Sequence, residues 1–463
     1  MTSDQIRATQ TQPLVARSLT RRGLLGTGAA LGASVPLIGL GAGSADAAGV
    51  GAAATGQHRA SLRAAVEFLQ RATDAYHPSG YRLVQSYQDN SGLGDIGFIY
   101  DNALTSMALL AAGDVARARA IGDALLYAQT HDAEFTDFRL RQAYHVDEFV
   151  DANGVAISGY QFGLTGTAVG DMAWTGIALA QLARRTGQQR YLTGALRIGR
   201  WIQQNTYSTS GLGGYTFGET AGLEDHKSSE HNIDLYALFR LLARLTGNTA
   251  WRDRADHAWD FVTAVWNEAD GFFWTGSDDG STINKAVRQL PLDVQTWSWL
   301  AARRAAYAEA LDWAAGNLAT TDTPLRPNST LTGNYSVSGV VFASGSFLTD
   351  TTAPIGGQSW NPKPDPAAVW FEGTSQLALA LADRDDAGDR KAASELLAEV
   401  RSAQRNLGQG QTIGGESGTG GIVAASSPLD TGFGFGYFPN LHVGATSWYV
   451  FAATGFNPYR FNR

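Results

Sequence analysis

Residues 171–187 read DMAWTGIALAQLARRTG and residues 188–205 read QQRYLTGALRIGRWIQQN, and this pair of segments sets the architecture. The first segment is apolar all round over 171–185, which is typical of a helix buried on every side. The second segment carries its arginines on one side and its apolar residues on the other, as a helix facing solvent does. Gly187 supplies the residue that ends the first helix. The stretch therefore predicts a hairpin of one buried and one exposed helix.

The same hairpin recurs along the chain at a spacing of about 60 to 75 residues. Its junction is Thr-Gly-x-x-x-aromatic, in which the aromatic residue is expected to pack the start of the outer helix. The junction occurs as Thr186-Gly187 before Tyr191, Thr246-Gly247 before Trp251 and Thr454-Gly455 before Tyr459. Predicted buried segments are 101–112, 171–185, 231–245, 293–304, 371–383 and 443–454. Predicted solvent-facing segments are 57–76, 114–130, 188–205, 249–266, 306–317 and 388–406.

Six buried and six outer helices close into a ring when the first outer helix lies beside the last inner one. The repeat is too long for a tetratricopeptide or ankyrin array. We therefore predict an all-α fold, an (α/α)6 barrel formed as one domain by residues 57–463, with an open superhelix of helix pairs as the alternative. The long connections all fall on one face of such a ring, where loops of this size are usually functional.

Composition excludes several classes of protein. The chain has 463 residues, no cysteine and 12 tryptophans, so disulfides, zinc ribbons and iron–sulfur clusters are excluded. A net charge of −8, from 35 basic and 43 acidic residues, disfavours a nucleic-acid partner. Because His226 and His231 lack a zinc-ligand spacing, we expect neither a metal nor a cofactor. We expect a monomer.

The first 47 residues have the order of a signal peptide. Arg21-Arg22 precede an apolar, glycine-rich run over 24–40, and small residues up to Ala47 follow as a cleavage site. The paired arginines predict export by the twin-arginine translocase, with a flexible linker over 48–56 and a secreted mature protein. The run is too short for stable insertion into a membrane. A disordered basic tail with a chance Arg-Arg is the alternative.

Five of the six predicted inner helices begin with carboxylates beside aromatic residues. The acids are Asp101, Asp171, Glu230, Asp293 and Glu372. The sixth helix has His442 and Trp448 instead. Each acid alone fits helix capping, because Asp is a preferred N-cap and an acid in the first turn complements the helix dipole. The five acids together indicate a role beyond capping. Outer helices need caps equally, and their starts lack the aromatic neighbours.

Paired carboxylates among aromatic rings are what hydrolysis of a glycosidic bond needs. One protonated acid donates to the leaving oxygen, and a second carboxylate activates water or attacks the anomeric carbon. In this pattern the chain resembles the six-hairpin, glucoamylase-like superfamily of carbohydrate-active enzymes. The resemblance implies that Glu230, at the entry to the third inner helix, is the general acid. It implies that Glu372 is the second carboxylate, with Asp430 and Glu416 as further candidates.

The sequence therefore predicts an exported glycoside hydrolase that acts on a polysaccharide or oligosaccharide with inversion. Asp101 and Asp234 complete the predicted catalytic set, Asp234 because it lies four residues after Glu230 on the same helical face. Predicted substrate-binding residues are Asp171, Trp174, His231, Asn232, Tyr236, Asp293, Trp297, Trp370, His442 and Trp448. A polysaccharide lyase, a sugar epimerase and a non-catalytic carbohydrate-binding protein remain as alternatives.

Overall fold

The computed structural model describes residues 47–76, 80–347 and 363–462. This part of the chain is mostly helical and contains twelve α-helices. They are α1 (Ala47–Asp74), α2 (Ile99–Ala111), α3 (Val115–Ala128), α4 (Val169–Thr186), α5 (Gln189–Asn205), α6 (Ser229–Thr246), α7 (Ala250–Ala264), α8 (Leu292–Ala302), α9 (Glu309–Asn317), α10 (Phe371–Arg384), α11 (Asp389–Asn406) and α12 (Val443–Thr454). Short 3-10 helices cover Tyr160–Phe162, Ala305–Tyr307 and Ser344–Phe347.

The strands are short and pair in antiparallel twos. They are β1 (Ile96–Phe98), β2 (Ala143–His145), β3 (Thr167–Ala168), β4 (Gly218–Glu219), β5 (Lys227–Ser228), β6 (Trp266–Asn267), β7 (Phe272–Phe273), β8 (Gly276–Ser277), β9 (Ala319–Asp322), β10 (Val337–Val340), β11 (Thr412–Ile413), β12 (Glu416–Ser417), β13 (Leu429–Asp430) and β14 (Gly436–Tyr437). The pairs are β1 with β2, β3 with β4, β5 with β8, β6 with β7, β9 with β10, β11 with β12 and β13 with β14.

The chain divides into two compact units, one ending at Ala60 and one formed by residues 61–463. In the described range the first unit contributes only the beginning of α1. Helix α1 begins at Ala47, so it includes residues 48–56, the segment for which the sequence predicts a linker. Alanine is the strongest helix former, and this segment contains Ala48 and Ala52 to Ala54. The predicted twin-arginine motif lies outside the described residues.

The second unit confirms the predicted (α/α)6 barrel. Helices α2, α4, α6, α8, α10 and α12 each contact the next one, and α12 contacts α2, so the inner ring is closed. Helices α3, α5, α7, α9 and α11 form the outer layer. Residues 61–74 of α1 supply the sixth outer position, where the Ser61 hydroxyl lies 2.7 Å from that of Tyr449 on α12.

A ring of backbone hydrogen bonds joins successive hairpins at one end of the barrel. The first N–H of each inner helix donates to a carbonyl in the connection that leads to the next inner helix, at 2.8 to 3.1 Å. The six bonds run from Ile99 to Gln142, Val169 to Phe217, Ser229 to Thr275, Leu292 to Phe342, Phe371 to Ala424 and Val443 to Ser86. Since the last bond returns to the segment before α2, the ring closes on itself.

A second sixfold feature anchors these connections. The fourth residue of each inner helix accepts a backbone N–H from the segment that precedes that helix. The acceptors are Asn102, Met172, Asn232, Gln295, Thr374 and Thr446, and the donors are Val84, Leu140, Tyr215, Phe273, Val340 and Ile422. The long connections are thus fixed to the ends of the helices that carry the acids.

The glycine junctions are confirmed, with one exception at the aromatic residue of the last junction. Gly187, Gly247 and Gly455 end their helices with φ of 68°, 71° and 68°, a left-handed conformation that glycine adopts at low cost. Tyr191 and Trp251 then lie in the first turns of α5 and α7, as predicted. Tyr459 does not begin an outer helix, because α1 already fills that position. Its chain segment enters the barrel centre instead, where its ring lies 4.9 Å from that of Trp174.

Among the described residues, no helix is long and apolar enough to cross a membrane.

Candidate active site

The predicted acids lie in the first turn of five inner helices, so all of them meet at one end of the barrel. Asp101 and Asp171 are third residues of their helices, and Glu230, Asp293 and Glu372 are second residues. Asp101, Asp293 and Glu372 are 2%, 5% and 1% exposed, and the other two are half-buried. Burying several carboxylates together costs much free energy, which makes this end of the barrel the candidate functional site.

Glu372 has one oxygen that accepts hydrogen bonds from the protein, and a second that lies 3.7 Å from His442 Nδ1. Tyr100 donates its hydroxyl hydrogen to Oε1 at 2.6 Å, and the Gln376 amide lies 3.4 Å from the same atom. Oε2 is buried and has no hydrogen-bond partner among the described residues. Burial raises the pKa of Glu372 to about 7, while His442 and Tyr100 partly offset that rise. An unpaired, titrating oxygen of this kind can accept a proton from water.

His442 links Glu372 to Asp101. Its Nδ1 accepts the N–H of Ala445 at 3.3 Å, so Nε2 carries the hydrogen and donates to Asp101 Oδ1 at 3.0 Å. Tyr87 stacks on the imidazole with ring centroids 4.3 Å apart. Burial lowers the pKa of His442, but the charges of Asp101 and Glu372 raise it, and the net result is above its ordinary value. His442 thus caps α12 and holds Asp101 in place.

Glu230 and Asp293 form a second pair in the same end of the barrel. Burial raises the pKa of Glu230 well above its ordinary value, and the charge and hydrogen bond of Asp293 and the charge of Asp234 raise it further. Asp293 is better stabilised as an anion, because it accepts hydrogen bonds from Glu230 and from the N–H of Val294 at 3.0 Å. Glu230 is therefore the protonated partner at neutral pH.

Two further acids border this pair. Asp234, one turn after Glu230, accepts the hydroxyl hydrogen of Tyr459 at 2.7 Å. Burial raises the pKa of Asp234 well above its ordinary value, and the hydrogen bond from Tyr459 offsets part of that rise. Burial and then the charge of Asp101 raise the pKa of Asp171 to about 7. Of the carboxyls gathered here, several must be protonated at neutral pH.

The predicted tryptophans form a packed floor below the acids. Trp174 lies 5.2 Å from Trp297 and 5.8 Å from Trp448, measured between ring centroids, and Trp297 and Trp448 are stacked within 11°. All three are buried. The Trp448 indole N–H donates to the Tyr100 hydroxyl at 3.0 Å, which continues to Glu372. These rings therefore orient the acid side chains, in addition to any contact with a sugar.

Two predicted substrate-binding residues have side chains that the fold itself engages. The amide of Asn232 bonds the backbone of Tyr215 and Ser228, so its polar atoms are used by the fold. The ring of Tyr236 packs 4.9 Å from Trp259 on the outer helix α7. Both residues lie two positions from an acid of the Glu230 and Asp234 face. At 100° per residue they point about 200° away from that face.

The remaining predictions have distinct placements. His231 packs 4.4 Å from Phe217, and burial lowers its pKa to about 4, so it is neutral. Trp370 is buried just before α10, where Tyr437 stacks on it at 5.7 Å. Glu416 is exposed in the β11–β12 hairpin, beside Glu67 and Arg71 of α1. Asp430 is half-buried, and its Oδ1 accepts the N–H of Gly432 within the β13–β14 turn.

Several site residues were missed by sequence reasoning. They are Tyr87, Gly444 and Tyr459; Tyr87 precedes the first inner helix, and Tyr459 was expected to pack an outer helix. Gly444 was visible only as a glycine in the second position of an inner helix, where glycine is costly. A Cβ at Gly444 would lie 2.4 Å from Asp101 Oδ1, which explains the residue.

In the described ranges, no three or more histidine, aspartate or glutamate side chains are arranged so that they could hold a metal ion together. The arrangement is one of carboxyls, a histidine and tyrosines gathered at one end of the barrel, which is suited to moving protons.

Comparison with known proteins supports the architecture. No protein-family model and no curated protein sequence matches the chain. Among solved structures, a glycosidase variant in complex with glucose matches at 12% identity and a TM-score of 0.56, over 87% of this chain and 98% of that one. The wild-type glycosidase matches at 12% identity and 0.55 over the same shares. A family 76 α-mannanase of Bacteroides thetaiotaomicron matches at 13% and 0.53, over 87% and 96%. The chain is thus similar in fold to barrels found in glycosidases.

Proposed function

We propose that the protein is an exported glycoside hydrolase that cleaves a neutral polysaccharide or oligosaccharide with inversion. The observation that carries the proposal is that Glu230, whose pKa is raised by burial and by Asp293, and Glu372, whose Oε2 has no hydrogen-bond partner among the described residues, lie in first turns at the same end of the barrel. An inverting hydrolase needs one carboxyl as acid and one carboxylate as base. The cluster of acids disfavours a polyanionic substrate, because each of its carboxyls that ionises repels a substrate anion.

The reaction follows from these protonation states. Glu230 gives its proton to the glycosidic oxygen as the bond between that oxygen and the anomeric carbon breaks. A water oxygen bonds to the anomeric carbon from the opposite face, and its proton passes to Glu372. His442 and Tyr100 hold Glu372 in place and favour its anionic form before the step. Asp101, Asp171 and Asp234 are the side chains available to accept sugar hydroxyls.

The structural neighbours support the substrate class. One is a glycosidase with bound glucose and another is an α-mannanase, so both act on or bind hexose sugars. Solved variants of the glycosidase replace glutamates by alanine and a tyrosine by phenylalanine. Glutamates and a tyrosine are also the residue types that meet at Glu230, Glu372 and Tyr100. We propose α-glucans and α-mannans as first substrates.

Glu230→Gln and Glu372→Gln should each lower kcat by at least about a hundredfold on the best substrate of a polysaccharide panel, since general acid–base groups contribute about 10²–10⁴ each. Product chromatography gives the rate, and NMR of the fresh product gives the anomer. Glu416→Gln, an exposed glutamate in a hairpin, is the matched control and should retain native kcat. Near-native turnover by either pore variant contradicts the assignment.

Export is supported by the Arg21-Arg22 pair and the apolar run that follows it. Replacing both arginines by lysine should leave the protein in the cytoplasm of a bacterial host with a twin-arginine translocase. Fractionation and immunoblotting measure the outcome, and unchanged secretion of the variant contradicts this route.

A further inference from the structure

Exposed hydrophobic side chains concentrate at one place on the barrel. In the described part of the chain eight large hydrophobic residues are exposed, and Val287, Phe347, Phe433 and Phe435 are four of them, with exposed fractions of 66%, 36%, 37% and 48%. We call these four the apolar rim. They come from three segments: the connection before α8, the 3-10 helix at Ser344–Phe347 and the turn between β13 and β14.

The three segments are in direct contact. The Ser344 hydroxyl donates to the carbonyl of Val287 at 2.8 Å. A Cβ at Gly345 would lie 2.3 Å from the carbonyl oxygen of Arg288 and 3.4 Å from Cα of Gly432. The apolar rim is therefore one patch, built by segments that touch through their backbones. Apolar patches on soluble proteins commonly mark binding sites.

A continuous series of rings leads from the apolar rim to the acids. Phe433 and Phe435 each lie 6.0 Å from Phe342, measured between ring centroids, and Phe342 lies 4.7 Å from Trp370. Trp370 stacks on Tyr437 at 5.7 Å, and Tyr437 lies 6.2 Å from His442. His442 contacts Asp101 and Glu372. The exposed patch is thus joined through the buried rings of Phe342 and Trp370 to the side of the site that holds Glu372.

The residue types at the apolar rim favour a sugar chain over a protein as its ligand. Flat aromatic rings match the apolar faces of sugar rings, whose hydroxyls point sideways toward polar groups such as the exposed Arg288 and the half-buried Asp430. Four side chains are far fewer than the roughly 20–30 residues a side of a stable protein interface. The link from the apolar rim through these rings to Glu372 favours a ligand that extends from the acids to the apolar rim.

We propose that the apolar rim binds additional sugar units of the same chain whose scissile bond lies at Glu230 and Glu372, so that the substrate is an extended glycan rather than a disaccharide. This inference rests on the proposed function. It predicts that affinity and turnover rise with the number of sugar units until the apolar rim is covered.

The test compares Phe433→Ala/Phe435→Ala with native protein on linear oligosaccharides of two to seven units, in both the α-1,6-mannose and the α-1,4-glucose series. For the best series we expect kcat/KM on the longest substrate to fall at least tenfold, and the loss to shrink as the substrate shortens. Tyr207→Ala is the matched control: Tyr207 is an exposed aromatic that packs 4.3 Å from His257 on outer helix α7. A loss equal at all lengths, or none, overturns the proposal.

A binding measurement separates this inference from the proposed function. Glu372→Gln protein, with and without the two phenylalanine substitutions, is run through native gels containing yeast mannan or soluble starch. We expect retardation in one polysaccharide that the phenylalanine substitutions abolish, whether or not any substrate is cleaved. Equal retardation of both proteins, or none in either gel, overturns the inference. A dimer that light scattering detects in native protein, and that the substitutions dissociate, would assign the apolar rim to self-association and also overturn it.

Discussion

Gly444 shows how a single hydrogen atom in place of a side chain shapes the site. It occupies the second position of α12, and a Cβ there would lie 2.4 Å from Asp101 Oδ1 and 2.7 Å from His442 Cε1. Glycine in a helix costs about 1 kcal/mol relative to alanine. The fold accepts that cost where Asp101 and His442 must approach each other.

Gly444→Ala should therefore separate Asp101 from His442 and lower kcat at least tenfold, despite the better helix propensity of alanine. Gly316→Ala is the matched control, because Gly316 lies in α9 and no atom comes within 4 Å of the position that a methyl group would take there. The control should keep native kcat and gain up to about 1 kcal/mol of stability. If Gly444→Ala has native turnover and the same thermal midpoint as the native protein, Gly444 is not needed for the approach of Asp101 and His442.

Among single residues, the sequence predicted the acids but not their partners. Asp101, Glu230 and Glu372 could be found because each begins an apolar helix, which is a local pattern. The contact of Asp101 with His442 joins residues 341 positions apart, and no local pattern encodes it. The prediction for Asn232 rested on the polar residue type beside Glu230, whereas the structure shows its amide bonded to the backbone of Tyr215 and Ser228, a contact that residue type alone does not indicate.

In each inner helix the fourth residue accepts a backbone N–H from the preceding segment, but the accepting group differs from helix to helix. Asn232 uses its amide for both the N–H and the carbonyl of Tyr215, whereas Met172 offers only a sulfur atom to the N–H of Leu140. The alternation of buried and amphipathic segments predicted these helices, because the helical spacing of apolar residues can be read directly from the sequence. The anchors could not be predicted, because each depends on the path of a connection.

Asn232→Ala should lower the free energy of unfolding by about 2–4 kcal/mol, because it leaves a buried N–H and a buried carbonyl unpaired. Met172→Leu, at the equivalent position of α4, should cost less than about 1.5 kcal/mol, since the side-chain volume is kept and the lost acceptor is weak. Urea unfolding followed by circular dichroism measures both. Equal losses in the two variants would show that the anchor does not depend on the amide.

The folded protein as a whole carries several carboxyls whose pKa is raised by folding. Asp171, Asp293 and Glu372 rise to about 7, about 6 and about 7, and burial is the main cause in each. Such groups bind protons more tightly in the folded state than in the unfolded chain. Their contribution to stability is complete below the unfolded pKa near 4 and is lost as pH rises through the folded value.

Asp171→Asn should therefore be more stable than native protein at pH 8, by up to about 4 kcal/mol for a pKa moved from 3.8 to about 7. At pH 4 the two should differ little, because Asp171 is then largely protonated in the folded state and close to half protonated in the unfolded chain. Thermal midpoints across pH 4 to 8 measure the effect, with the exposed Glu416→Gln as control. A destabilisation of Asp171→Asn that is the same at every pH would contradict this account.

The closed ring of backbone hydrogen bonds has a consequence for when the protein becomes active. The bond from Val443 to Ser86 joins the last hairpin to the segment before the first inner helix. Tyr100, Asp101, His442 and Trp448 meet at this seam. A chain with five hairpins formed and the sixth undocked would hold nearly all of its helices and still lack the assembled Glu372 environment. After denaturation, recovery of activity therefore reports when the last hairpin docks and closes the ring. Recovery of the helix signal reports only when the individual hairpins form.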